Sequence, residues 1–287
     1  MESIDINGLK QILLAIRKKF QNKDDVFYRF GLSSEVLRIL IDNEWVNQSI
    51  FSALHPNKSN QTEEPKNYLK SKFKNEEQEF QWQNRVEVLA EMVFNLQDIS
   101  NFLHIVNKIK QGNFLSRFAE LEIGAHLKKR KVNFEYVAPS NKKTQDFDIL
   151  INEAISINCD VKHKLEETGL TKSTLDNTFY KVSRQLPKNS PALIGLKIPE
   201  KWVRDKNAKK LLTSAIKKFF RRNTNMLAVL IRWEERNKIN EFYQMFRLEI
   251  NNQSHFLNSQ GLEILNKIKG PQAGDWVRFS DFIRKKS

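Results

Sequence analysis

The sequence predicts an α/β fold, a mixed β-sheet core flanked by helices, with an N-terminal all-helical region before it. Three observations carry this reading. Apolar residues recur at helical spacing through the first hundred residues. From residue 114 onward, short strand-like runs alternate with helical patterns. Charge divides at the same place. Residues 1–112 hold 15 Lys/Arg and 15 Asp/Glu, whereas residues 113–287 hold 33 and 19, so the second part carries the whole net charge of +14. The expected organisation is a helical region over 1–112 and a separate α/β domain over 113–287.

The elements follow in order. Leu9, Ile12, Leu13 and Ile16 form an amphipathic stripe near the start. Ser33-Ser34-Glu35 precedes the apolar run 36–41 and reads as the capped start of a short helix. The stretch 55–65 is polar and contains two prolines, Pro56 and Pro65, so it reads as a loop or linker. Helical patterns then cover 78–96 and 98–111, closing at Gly112. A helix is expected over 114–130, followed by strand-like runs at 132–137, 147–151 and 155–162. A helix over 172–186, a buried strand over 191–198, a basic amphipathic helix over 205–222, a second buried strand over 226–231 and an edge strand over 243–250 complete the pattern.

Composition excludes several classes. No run of 18 apolar residues exists, which argues against a membrane helix. The first residues lack the basic-then-apolar pattern of a signal peptide, so a cytoplasmic setting is expected. One cysteine, Cys159, cannot form an internal disulfide, and with five histidines it gives no structural zinc pattern. There is no P-loop or other Gly-rich phosphate cradle. The basic second half points to a polyanion as partner, nucleic acid foremost. On the 205–222 helix, Lys209, Lys210, Lys217 and Arg221 lie opposite the apolar stripe and are candidate phosphate contacts. The neutral N-terminal region is compatible with a protein partner.

The chemistry concentrates on the third strand. Alternation puts Ile155, Ile157, Cys159 and Val161 on one face and Ser156, Asn158, Asp160 and Lys162 on the other. His163 then points away from Lys162. The preceding strand carries Asp146 and Asp148, joined to the third through Asn152-Glu153-Ala154. That connection predicts a hairpin with Ile151 opposite Ile155, Asp148 opposite Asn158 and Asp146 opposite Asp160. Carboxylates gathered on one face repel unless a cation compensates. Hard oxygen ligands select Mg²⁺ or Mn²⁺, and a nearby lysine can act on a metal-activated water.

Taken together, Phe118-Ala119-Glu120-Leu121-Glu122-Ile123-Gly124-Ala125-His126-Leu127, Asp146-Phe147-Asp148 and Asp160-Val161-Lys162 resemble the PD-(D/E)XK nuclease superfamily over about residues 114–232. The resemblance implies a restriction-endonuclease-like fold and metal-dependent hydrolysis of phosphodiester bonds, foremost in DNA. It implies Asp148 (or Asp146) and Asp160 as metal ligands, Lys162 as the residue acting on the attacking water, and Glu120 (or Glu122) as the helix glutamate completing the metal site. Gln185, four residues from Lys181 on the following helix, is a candidate for supporting the site. Proline precedes neither aspartate, a departure from the superfamily pattern. Dimers are common in that superfamily. Readings from other classes are a non-catalytic nucleic-acid-binding module that keeps the fold, and a regulatory or toxin-like effector.

Overall fold

The computed structural model describes residues 3–51, 68–69, 75–138, 147–164, 168–236 and 242–284. The expected 55–65 loop and Asp146 lie outside these residues. The chain forms two compact units, one of residues 1–121 with 275–287 and the other of 122–274. The division falls at 121/122, not at 112/113, and the C-terminal segment joins the first unit. That segment brings Phe279 and Ile283, both buried, apolar surface that the neutral-versus-basic charge contrast could not reveal.

The first unit is helical among its described residues. It contains α1 (Ile6–Lys19), α2 (Asp25–Leu40), α3 (Asn43–Ser49), α4 (Glu76–Leu96), α5 (Phe102–Lys110), the first half of α6 (Phe114–Lys128), and the C-terminal helix Phe279–Arg284. Asp5, Asp24, Asp42 and Asn75 cap α1 to α4, each accepting a backbone N–H from the first turn. Helix α2 corrects one expectation. Ser33 and Ser34 do not start it but sit in its interior, where Ser33 Oγ donates to Arg29 O at 2.7 Å and Ser34 Oγ to Phe30 O at 2.8 Å. Back-bonding to the preceding turn satisfies the hydroxyls, so a serine pair that resembles a cap is carried inside the helix. Helix α5 begins after Asn101, whose φ of 63° is left-handed, and so starts later than the expected 98.

The second unit is built on one six-stranded sheet in the order β1 (Phe134–Tyr136), β2 (Ile149–Asn152), β3 (Ser156–His163), β4 (Ala192–Lys197), β5 (Met226–Arg236) and β6 (Phe242–Ile250). β1–β2, β2–β3 and β5–β6 pair antiparallel, and β3–β4 and β4–β5 pair parallel. The fold is therefore mixed α/β with helices flanking a mixed sheet. Helices α7 (Lys172–Gln185), α8 (Lys201–Arg204) and α9 (Lys206–Phe220) separate the parallel strands, and α10 (Ser259–Lys269) follows β6. The C-terminal helix is α11.

Ala192, Ile194 and Leu196 of β4 and Val229 and Ile231 of β5 pack with Leu175, Phe179 and Val182 of α7 and Leu212, Ile216 and Phe219 of α9. Each of the buried Val, Leu, Ile and Phe side chains among them contributes about 1.5–3 kcal/mol. The opposite face of β4 meets α6 closely: a Cβ on Gly195 would lie 2.8 Å from Ile123 Cγ1. Among the described residues, no helix is long and apolar enough to cross a membrane.

Candidate active site

The hairpin register places the acids. Ile149 pairs with Cys159, Leu150 with Asn158, Ile151 with Ile157 and Asn152 with Ser156. The connecting loop is thus Glu153-Ala154-Ile155, and β2 is slid by two residues from the expected pairing. Ile155 is half-buried in the loop instead of extending β3. A slide of two keeps every side chain on its expected face but changes its partner. Past Ile149, the last paired residue of β2, Asp148 is bonded to the residues on either side of Asp160 and does not pair with the expected Asn158. Its N–H donates to Cys159 O at 3.0 Å, and its Oδ2 accepts the Val161 N–H at 2.7 Å.

The face of β3 carrying the site is not a solvent face. Asn158, Asp160 and Lys162 stand opposite Ala192, Ile194 and Leu196 of β4, and those apolar residues lie under α7 and α9. Asp160 is 0% exposed. Burying a carboxylate is costly unless it is paired, and Lys162 supplies the pair: its Nζ lies 2.9 Å from both Asp160 Oδ1 and Oδ2. The same Nζ donates to Gln185 Oε1 at 2.8 Å. Gln185 is the last residue of α7, so the helix that closes over this face also delivers the second acceptor. The ammonium is held between a carboxylate and an amide oxygen, and its position is fixed.

Glu120 belongs to the first unit, where it is fully buried and its carboxylate Oε2 lies 2.6 Å from Arg117 Nη1. Glu122 does not belong with Asp160. It reaches Lys197, whose Nζ is 2.8 Å from its Oε1, and Lys197 stands opposite His163, on the reverse face from Lys162. Among the described residues, no three His, Cys, Asp or Glu side chains gather as a metal-binding group. Asp148 and Asp160 remain as a pair of hard-oxygen donors. That pair suits Mg²⁺, which is ordinarily held by one or two carboxylates together with water and substrate phosphate. Lys209, Lys210, Lys217 and Arg221 are all exposed on α9 or just past its end.

The reverse face holds a second charged cluster that the sequence reading did not single out. Lys197 also donates to Glu234 Oε1 at 2.9 Å, and Arg232 Nη2 donates to Gln244 Oε1 at 2.6 Å. Burial raises the Glu122 carboxyl, opposed by Lys197 and Arg232, and burial lowers Arg232. His163 is lowered to about 3, first by burial and then by Lys197. Its imidazole is therefore neutral near pH 7. The available signal was a lysine closing an otherwise apolar strand run. His126 is buried with a ring nitrogen 3.0 Å from Ile268 O, and Cys159 is buried in the sheet, both in structural positions. Comparison with protein-family models, curated proteins and solved structures finds no match to this chain.

Proposed function

We propose that the chain is a metal-dependent nuclease hydrolysing phosphodiester bonds, with DNA as the leading substrate. The observation that carries the reading is one group of side chains: Asp148 fastened beside a fully buried Asp160, with Lys162 held between Asp160 and Gln185. Asp148 and Asp160 would hold Mg²⁺ or Mn²⁺, which when bound supplies an activated water and charge stabilisation at the phosphate. Lys162 orients that water or neutralises charge developing on the phosphate oxygens. Gln185 positions Lys162 through its amide oxygen. Glu120 is assigned to the site by the superfamily resemblance alone. The basic character of residues 113–287 supports a polyanionic substrate. A cytoplasmic setting and a homodimer belong to the same reading.

The test is incubation of the protein with plasmid and linear DNA in Mg²⁺ or Mn²⁺, beside Asp160→Ala and Lys162→Ala. Cleavage by the wild type, reduced about 100-fold or more in both variants, is the expected outcome. DNA binding without cleavage, unchanged by either substitution, would instead make the chain a non-catalytic nucleic-acid-binding module.

A further inference from the structure

On the outer side of α7, away from Lys162, a groove of about 600 Å³ runs between α7 and α9. That is a volume typical of small-ligand sites. Its floor is aromatic: Phe179 and Phe219 stack with centroids 4.8 Å apart and planes at 24°. Its walls are cationic, with Arg184, Lys188, Lys218 and Arg222 against one carboxylate, Asp176. Lys218 already faces Asp176 at 3.4 Å, which leaves the other three as a net positive rim.

Tyr180 stands at this rim with 61% of its surface exposed. The Arg184 guanidinium lies 5.7 Å from its ring centroid and donates to its hydroxyl at 3.3 Å. An exposed aromatic ring among cations matches one ligand chemistry in particular: a flat unpaired base joined to a phosphate. In a duplex, the base faces are already stacked on their neighbours and cannot meet the ring. An acidic peptide would use the cations but not the aromatic surface.

We infer that the groove between α7 and α9 is a subsite for a nucleotide of single-stranded nucleic acid, with the base on Tyr180 and its phosphates on Arg184, Lys188 and Arg222. That it serves as a substrate subsite rests on the nuclease reading; its binding chemistry does not. The two sites share α7. Tyr180 and Gln185 are separated along the helix axis by roughly 7.5 Å, at about 1.5 Å per residue, and lie on different flanks of the helix.

Fluorescence anisotropy of labelled single-stranded oligothymidylate, matched duplex and polyglutamate, in EDTA so that no cleavage occurs, tests the inference. The full chain is compared with Tyr180→Ala, Tyr180→Phe and Arg184→Ala, with thermal melts confirming that each variant is folded. Tyr180→Ala is expected to weaken single-strand binding about tenfold and duplex binding little, and Tyr180→Phe to bind as wild type. Arg184→Ala is expected to flatten the salt dependence. Single-strand binding unaffected by Tyr180→Ala, or polyglutamate bound as tightly as the oligonucleotide, would overturn it. Tyrosine-dependent binding by a protein that cleaves nothing in Mg²⁺ or Mn²⁺ would uphold the subsite while removing the nuclease reading.

Discussion

At Asp148 one carboxylate meets two demands. Its Oδ2 accepts the Val161 N–H at 2.7 Å, in place of the carbonyl that a longer β2 would offer, and the same side chain stands beside Asp160. The two roles separate by substitution. Asp148→Ala leaves the Val161 N–H without its acceptor and is expected to cost about 1–3 kcal/mol of stability. Asp148→Asn keeps an amide oxygen for that bond, so its denaturation midpoint is expected near wild type while its cleavage rate falls with the Ala variant's. Equal stability of the Ala and Asn variants, measured by urea unfolding, would contradict the strand-ending role. At this scale the sequence was legible wherever alternation decides, because the period of a strand is two and the shared face of Asp160 and Lys162 follows directly. It was not legible for Glu122, whose direction depends on which strand its helix crosses, nor for the burial of Asp160, which depends on α7 closing over it.

At the level of elements, most helices and strands were readable from periodicity, and hairpin register was the weak point. The three-residue loop was expected at 152–154 and forms at 153–155; nothing in Asn152-Glu153-Ala154-Ile155 ranks one turn over the other. The serine pair within α2 misleads for a related reason, since a hydroxyl can bond a following N–H or a preceding carbonyl and the sequence alone does not distinguish them. Tight element packing supplies a further test. Gly124 lies inside α6, where alanine would raise helix propensity by about 1 kcal/mol. A Cβ there would collide with the Tyr136 hydroxyl and approach Phe134 Cε2 to 3.3 Å. Packing outweighs propensity, so Gly124→Ala is expected to lower stability by about 1–3 kcal/mol. Adding Tyr136→Phe should recover part of the loss in a double-mutant comparison. A Gly124→Ala protein that melts higher than wild type would mean that α6 and β1 are not in close contact.

For the whole chain, acid and base act oppositely on two groups in different units. Burial raises Glu87 of the first unit to about 7 against the pull of Arg29. Its contribution to stability is therefore full below about 4.5 and is lost as pH rises through about 7. His163 of the second unit is lowered to about 3, so its contribution is full above about 6.5 and is lost as pH falls toward 3. Denaturation curves at pH 5 and pH 8 should show Glu87→Gln gaining on wild type at the higher pH and His163→Asn gaining at the lower. The same sign for both would be inconsistent with these environments. The division into units has one more consequence. Residues 122–274 form an uninterrupted stretch, whereas the first unit is assembled from 1–121 and 275–287 and includes the fully buried Phe279. During synthesis, the sheet-bearing unit can finish folding as soon as it emerges. The helical unit, though translated first, cannot complete its core until the ribosome has passed residue 279, so the order of maturation runs against the order of translation.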